Sequence, residues 1–124
     1  MSELISYNEY SEFFDEVLKL DQNIRLTAIH DGRFKAKYQN GIDGYFDREE
    51  IKSSLIEAQN RWDLRKKMSF KIGAPKFAMA QYDKVNRITI PLGNEGVILV
   101  TTELDVDIHK LVDKIIEIRT KFFG

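Results

Sequence analysis

The feature that most constrains this chain is the run Val97-Ile98-Leu99-Val100, four apolar residues at consecutive positions. A strand that is apolar at every position has to be covered on both faces, so this run predicts a central strand between two layers. Two further strand-like segments precede it, Lys76 to Asp83 and Asn86 to Leu92, joined through Asp83 to Asn86 and then through Gly93-Asn94-Glu95-Gly96. Together they predict an antiparallel meander from Lys76 to Glu103. Pro91 has no N–H to give to a ladder, which puts it at the end of the middle strand or on a side with no partner.

A second pair of strands comes earlier. Ile24 to Asn40 predicts a hairpin about His30-Asp31-Gly32-Arg33. A two-residue turn at Asp31-Gly32 would set Ala28 against Lys35 and Leu26 against Lys37, mixing apolar and charged side chains on one face. A three-residue loop, with His30-Asp31 in a type I turn and Gly32 at a left-handed bulge, instead pairs Ala28 with Phe34, Leu26 with Ala36 and Ile24 with Tyr38. That register gives one apolar face and one face with Arg25, Thr27, Lys35 and Lys37. Asn40-Gly41-Ile42-Asp43-Gly44 follows as a loop.

Helices flank and connect these strands. Ser6 and Glu9 have capping-box spacing, and Tyr10, Phe13, Phe14, Val17 and Leu18 form the apolar face of a helix ending near Leu20. Asp47 and Glu50 form a second capping box for a long helix that runs to about Met68, with Ile51, Ser54, Leu55, Ala58, Trp62 and Arg65 on one face. Asp105 or Asp107 caps the last helix, whose stripe is Ile108, Leu111, Val112, Ile115, Ile118 and Phe122, widened by Ile116 and Phe123. The predicted order is α-β-β-α-β-β-β-α. It implies an α/β (α+β) fold in which a five-stranded antiparallel sheet carries the long helix on one face and the first and last helices on the other.

Composition narrows the function classes. The 124 residues suit a single domain, 1–124, and 43% apolar with 31% charged residues is ordinary for a globular chain. A net charge of -1 supplies no global field toward nucleic acid or an anionic membrane. The absence of cysteine removes thiolate metal sites, disulfides and thiol nucleophiles. No basic start followed by an apolar run appears at the amino terminus, and no stretch approaches about 20 apolar residues. The expectation is a cytoplasmic protein with no membrane association and no cofactor.

No catalytic constellation stands out. His30 and His109 are the only histidines, and neither has a nucleophile or ligand set beside it in sequence. Asp31, Asp43, Asp47, Glu49 and Glu50 do not match a calcium loop, and Gly41 to Gly44 lacks the lysine of a phosphate loop. These residues fit caps and turns. The concentration of charge is Arg61, Arg65, Lys66, Lys67, Lys71 and Lys76 against Asp63 alone. Cations at a helix C-terminus are favoured by the dipole, which accounts for most of this patch, and weak, salt-sensitive polyanion or nucleic-acid binding is its functional alternative. Trp62 serves either as core or as an interface anchor.

The order of elements resembles the roadblock/dynein light-chain fold, and with variations the longin and profilin-like folds. The segments RWDLRKKMSFKIGAPKFAMAQYDKVNRITIPL and VILVTTELD also resemble a set of small, uncharacterised archaeal proteins, which brings no activity with it. The roadblock resemblance implies a non-enzymatic homodimer, joined through sheet edges and long middle helices, that serves as a regulatory platform for a small GTPase or another protein partner. On this chain the implied seam is the long helix with the strand Lys76 to Tyr82, involving Ala58, Trp62, Met68, Phe77, Ala78, Met79 and Ala80. The apolar Phe77 to Ala80 run carries no charge to discourage edge pairing. The alternative is a small-molecule sensor holding its ligand against residues such as Tyr38, Tyr45 and Tyr82, and a third possibility is a small enzyme.

Overall fold

The computed structural model describes residues 7–93 and 95–124. Ser6 of the first expected capping box, the Met1 to Ile5 tail and Asn94 of the second meander turn lie outside the described residues. The apolar run falls on the central strand β5 (Val97–Thr102). It is paired antiparallel with β1 (Ile24–His30) on one side and β4 (Asn86–Pro91) on the other. β2 (Phe34–Tyr38) and β3 (Ala78–Gln81) complete a five-stranded antiparallel sheet of order β2-β1-β5-β4-β3, with β2 and β3 at its edges.

Each face of the sheet has its own core because successive residues point to opposite sides. Ile98 and Val100 pack with Ile29, Ile88 and Ile90 beneath α1 (Tyr7–Lys19) and α4 (Ile108–Phe123). Val97 and Leu99 pack with Leu26, Ala28 and Phe34 beneath α2 (Arg48–Lys66). The two-sided cover expected of Val97 to Val100 is therefore present. On the α1/α4 side the Phe13 and Phe123 rings lie 5.1 Å apart, and Tyr10 meets Phe123 edge-on at 5.7 Å. Offset and edge-on ring contacts of this kind add to the burial of their area.

The hairpin corrects the expected register. The loop has three residues, but they are Asp31, Gly32 and Arg33, so His30 pairs with Phe34, Ala28 with Ala36 and Leu26 with Tyr38. The Asp31 side chain selects this position: its Oδ1 accepts the Arg33 amide at 3.0 Å, closing a local turn, and Gly32 takes φ +96°. A slip of two residues preserves which side chains share a face. Leu26, Ala28, Ala36 and Tyr38 accordingly still face α2. Ile24 departs from the expectation, because a bulge between Ile24 and Leu26 turns it into the α1/α4 core and leaves Arg25 free to reach Glu103 at 2.7 Å.

Caps and breaks fall where the side chains dictate. Both halves of the Asp47/Glu50 capping box form, at 2.8 and 3.0 Å, and Asp107 rather than Asp105 caps α4. α2 stops at Lys66, and residues Ser69–Ile72 form a separate short helix, α3, that periodicity did not resolve from it. Gly73 follows at φ +90° and ends the helical path. Pro91 closes β4. The Leu92 amide bonds to Gly96 O at 3.1 Å, so even-numbered residues of β4 bond to β5 and the missing N–H of Pro91 faces the β3 side, beyond the start of that strand.

Candidate functional site

The surface formed by β3 and the overlying flank of α2 is where the expected site residues have to be located. Ladder alternation decides which backbone groups of β3 are free. The Tyr82 amide bonds to Val85 O at 2.8 Å, so Ala80 and Ala78 are the residues hydrogen-bonded to Arg87 and Thr89. The N–H and C=O groups of Met79 and Gln81 therefore point away from the sheet along its edge. Met79, Ala80 and Gln81 are exposed, Ala78 is half-buried, and Phe77 is half-buried with its ring 5.7 Å from that of His109.

Ala58 and Trp62 do not lie on this outward surface. Trp62 is 2% exposed, and with Ile51, Leu55 and Ala58 it forms the stripe by which α2 sits on the sheet. That spacing leaves one buried position per turn of an otherwise polar helix, and the largest apolar residue available takes one of them. Met68 is exposed. The flank toward β4 and β3 is a different stripe, Glu50, Ser54, Glu57 and Arg61, at spacings of three and four. Its position is marked by Arg87, whose guanidinium donates to Ser54 Oγ. Sequence reasoning concentrated on the buried stripe and missed this one, although the same spacing made it visible.

The basic residues split into two groups. Arg61 and Arg65 border a pocket above Ala78 and Ala80, together with Arg87 from β4. Lys66, Lys67, Lys71 and Lys76 are exposed and lie outside it. Beside the lysines, α3 carries the two most exposed large apolar side chains described, Phe70 at 82% and Ile72 at 78%. Tyr45, Phe46 and Tyr82, also exposed, line an open and largely apolar groove of about 340 Å³ at the other end of the α2 face.

The residues considered for catalysis belong to the scaffold. Asp31 accepts hydrogen bonds from the Tyr10 hydroxyl and from Arg33, whose Nη2 lies 3.0 Å away. Burial works against the Asp31 carboxylate, but the Arg33 and Tyr10 hydrogen bonds outweigh it and hold its carboxyl below the ordinary range. Burial, reinforced by Asp31, raises the Tyr10 phenol. His30 presents a buried Nδ1 with no partner among the described residues, and His109 packs against Phe77. No group of three or more metal-ligating side chains occurs among the described residues.

Tyr38 and Tyr45 do line a partly open space beside the 42–46 loop, but it measures about 50 Å³. Gly44 lets that loop close, since a Cβ there would stand 2.1 Å from the Tyr38 hydroxyl oxygen, and Tyr38 donates to Phe46 O at 3.0 Å. Burial raises the Tyr38 phenol. An organic ligand of ordinary size needs several times that volume.

The architecture is the roadblock/LC7 fold. MglB of Myxococcus xanthus superimposes with a TM-score of 0.72 at 14% identity, over 94% of this chain and 93% of that one. A Roadblock/LC7 domain from Streptomyces avermitilis gives 0.70 at 10% identity, over 89% and 91%. A structure described as MglB with tetrameric arrangement gives 0.68 at 9% identity, over 97% and 96%. No family model matches the chain, and no curated protein matches it. No described helix is long and apolar enough to cross a membrane.

Proposed function

We propose that this chain is a non-enzymatic platform that pairs with a second copy through β3 and the outer stripe of α2, and presents the joined surface to a protein partner. The observation that carries the reading is the continuity of two self-complementary features. One is the edge of β3, unpaired among the described residues, with the Met79 and Gln81 backbone groups directed outward. The other is the stripe beside it, acidic in its first half at Glu50 and Glu57 and basic in its second at Arg61. Two such stripes attract when they run antiparallel and repel when they run parallel. An antiparallel β3 seam imposes the antiparallel order on α2 as well. It also brings the segment before Ala78 of one copy beside the Tyr82 end of the other, where the groove of Tyr45, Phe46 and Tyr82 offers apolar cover for Phe70 and Ile72. The tetrameric arrangement of one similarly folded protein supports assembly as a use of this fold. A small GTPase is the partner class implied by the roadblock resemblance.

Sedimentation equilibrium tests the pairing. Met79→Pro removes an outward donor without touching the ladder to β4, so it should abolish association while leaving the fold intact. Glu57→Arg and Arg61→Glu should each weaken association, and the double variant should recover it. A wild type that stays monomeric at high micromolar concentration, or a double variant no better than the singles, removes the basis for the platform.

A further inference from the structure

The chain has seven arginines, and their surroundings separate them into two sets. Arg25 pairs with Glu103 at 2.7 Å and Arg33 with Asp31 at 3.0 Å. Arg119 donates to Pro91 O at 2.9 Å, and Arg48 stacks over the Phe34 ring at 4.8 Å. The remaining three, Arg61, Arg65 and Arg87, border one pocket between α2 and the β3–β4 pair. The nearest carboxylate of Arg61 is Glu57 at 3.8 Å, longer than a hydrogen bond, and Arg87 donates to the neutral Ser54. No described carboxylate borders this pocket, and Arg87 also borders the neighbouring groove lined by Asp47, Glu49, Glu50 and Glu57.

The rest of the wall is equally specific. Ala78, Met79, Ala80 and Tyr82 complete the lining, and Thr89 adds a hydroxyl. The pocket holds about 80 Å³, room for several waters. That suits one tetrahedral oxyanion, with the group that carries it left at the pocket's open side. Guanidinium groups present planar pairs of donors that match phosphate oxygens bidentately, so a pocket bordered by three arginines favours a multiply charged oxyanion.

We propose that this pocket binds the phosphoryl group of a phosphate monoester, carried by a small molecule or by a phosphorylated side chain of a partner. Lys66, Lys67, Lys71 and Lys76 do not border it. The site therefore grips a single phosphate and does not track a polyanion along the basic segment. All of its groups come from one copy, so it does not rest on the platform reading, but it shares Arg61 and the β3 surface with the seam proposed there.

The test is an NMR titration of the Ala80 and Thr89 amides with inorganic phosphate against chloride at matched ionic strength, on the wild type and on Gln81→Pro, which removes an outward donor of the β3 edge at a residue that does not border the pocket. A phosphoserine peptide beside its unphosphorylated form distinguishes the two sources: tighter binding than inorganic phosphate points to a partner side chain, and equal or weaker binding to a small molecule. Saturable binding is expected in both proteins. Arg87→Gln and Arg65→Gln should each weaken it about tenfold, whereas Lys66→Gln combined with Lys67→Gln should leave it unchanged. Retained spectral dispersion in either arginine variant shows that the fold survived. Lack of saturation in both proteins overturns the proposal, as does equal loss in the lysine variant, which marks a diffuse patch. Binding to Gln81→Pro alone also overturns it, since a second copy's carboxylates would then fill the pocket in the wild type.

Discussion

Replacing Asp31 with asparagine tests how the β1–β2 hairpin is fastened to α1. Asparagine keeps an oxygen for the Arg33 amide, so the local turn survives, and the Gly32 conformation with it. It loses the charge. The Asp31 and Arg33 side chains are 9% and 24% exposed, so solvent screens their interaction only in part. The change from a charge-assisted to a neutral hydrogen bond is about 1 kcal/mol at Arg33, and a similar loss at the Tyr10 hydroxyl brings the total to about 2 kcal/mol. Because the folded carboxyl is held below its ordinary range, the stability it adds is present above the unfolded value of about 3.9 and is lost as pH falls through the folded one. Urea denaturation of wild type and Asp31→Asn across pH should therefore show a gap of about 2 kcal/mol near neutrality that narrows below about pH 4. A gap under about 0.5 kcal/mol, or one that stays constant down to acid unfolding, would refute this account.

Three other substitutions probe the scaffold. Trp62→Ala should destabilise the chain by about 3–5 kcal/mol in urea unfolding, since it empties a core position; loss of association with unchanged stability would restore the ring to an interface. Gly32→Val should lower stability by about 1–2 kcal/mol, because a β-branched residue is strained at φ +96°. Gly44→Ala should displace the 42–46 loop from Tyr38 at a loss of about 1–3 kcal/mol, seen as shifted Tyr38 ring resonances, and unshifted resonances would contradict the close approach.

The sheet and its cover were legible because hydrophobic periodicity is a strong signal over whole elements. Val97 to Val100 could be satisfied only at the centre, and the Ile51, Leu55, Ala58 and Trp62 spacing could only be a helix face. The hairpin was harder. Registers two residues apart keep every side chain on its face, so alternation does not distinguish them, and only the Asp31 side chain bonding to the Arg33 amide does. The bulge at Arg25 had no such signal, because a bulge moves Ile24 across the sheet without altering the pattern around it. The pocket was hidden for another reason. Arg87 is separated from Arg61 and Arg65 by more than a strand and a helix, and only the pairing of β3 with β4 brings them together.

The narrow buried stripe of α2 has a consequence for how the molecule opens. Four buried side chains hold a 19-residue helix to the sheet, and α3 beyond it buries none. The opposite face is held by two helices whose aromatic residues interlock with one another as well as with the strands. Cooperative opening should therefore proceed in layers, with α2 and α3 lifting away at a free energy below that of global unfolding while β1, β5, α1 and α4 stay together. Amide exchange would then be fastest along residues 48–72 and slowest on β5. A partner that clamps this helix would slow exchange there first, so the least tightly held layer is the one whose order an assembly can control.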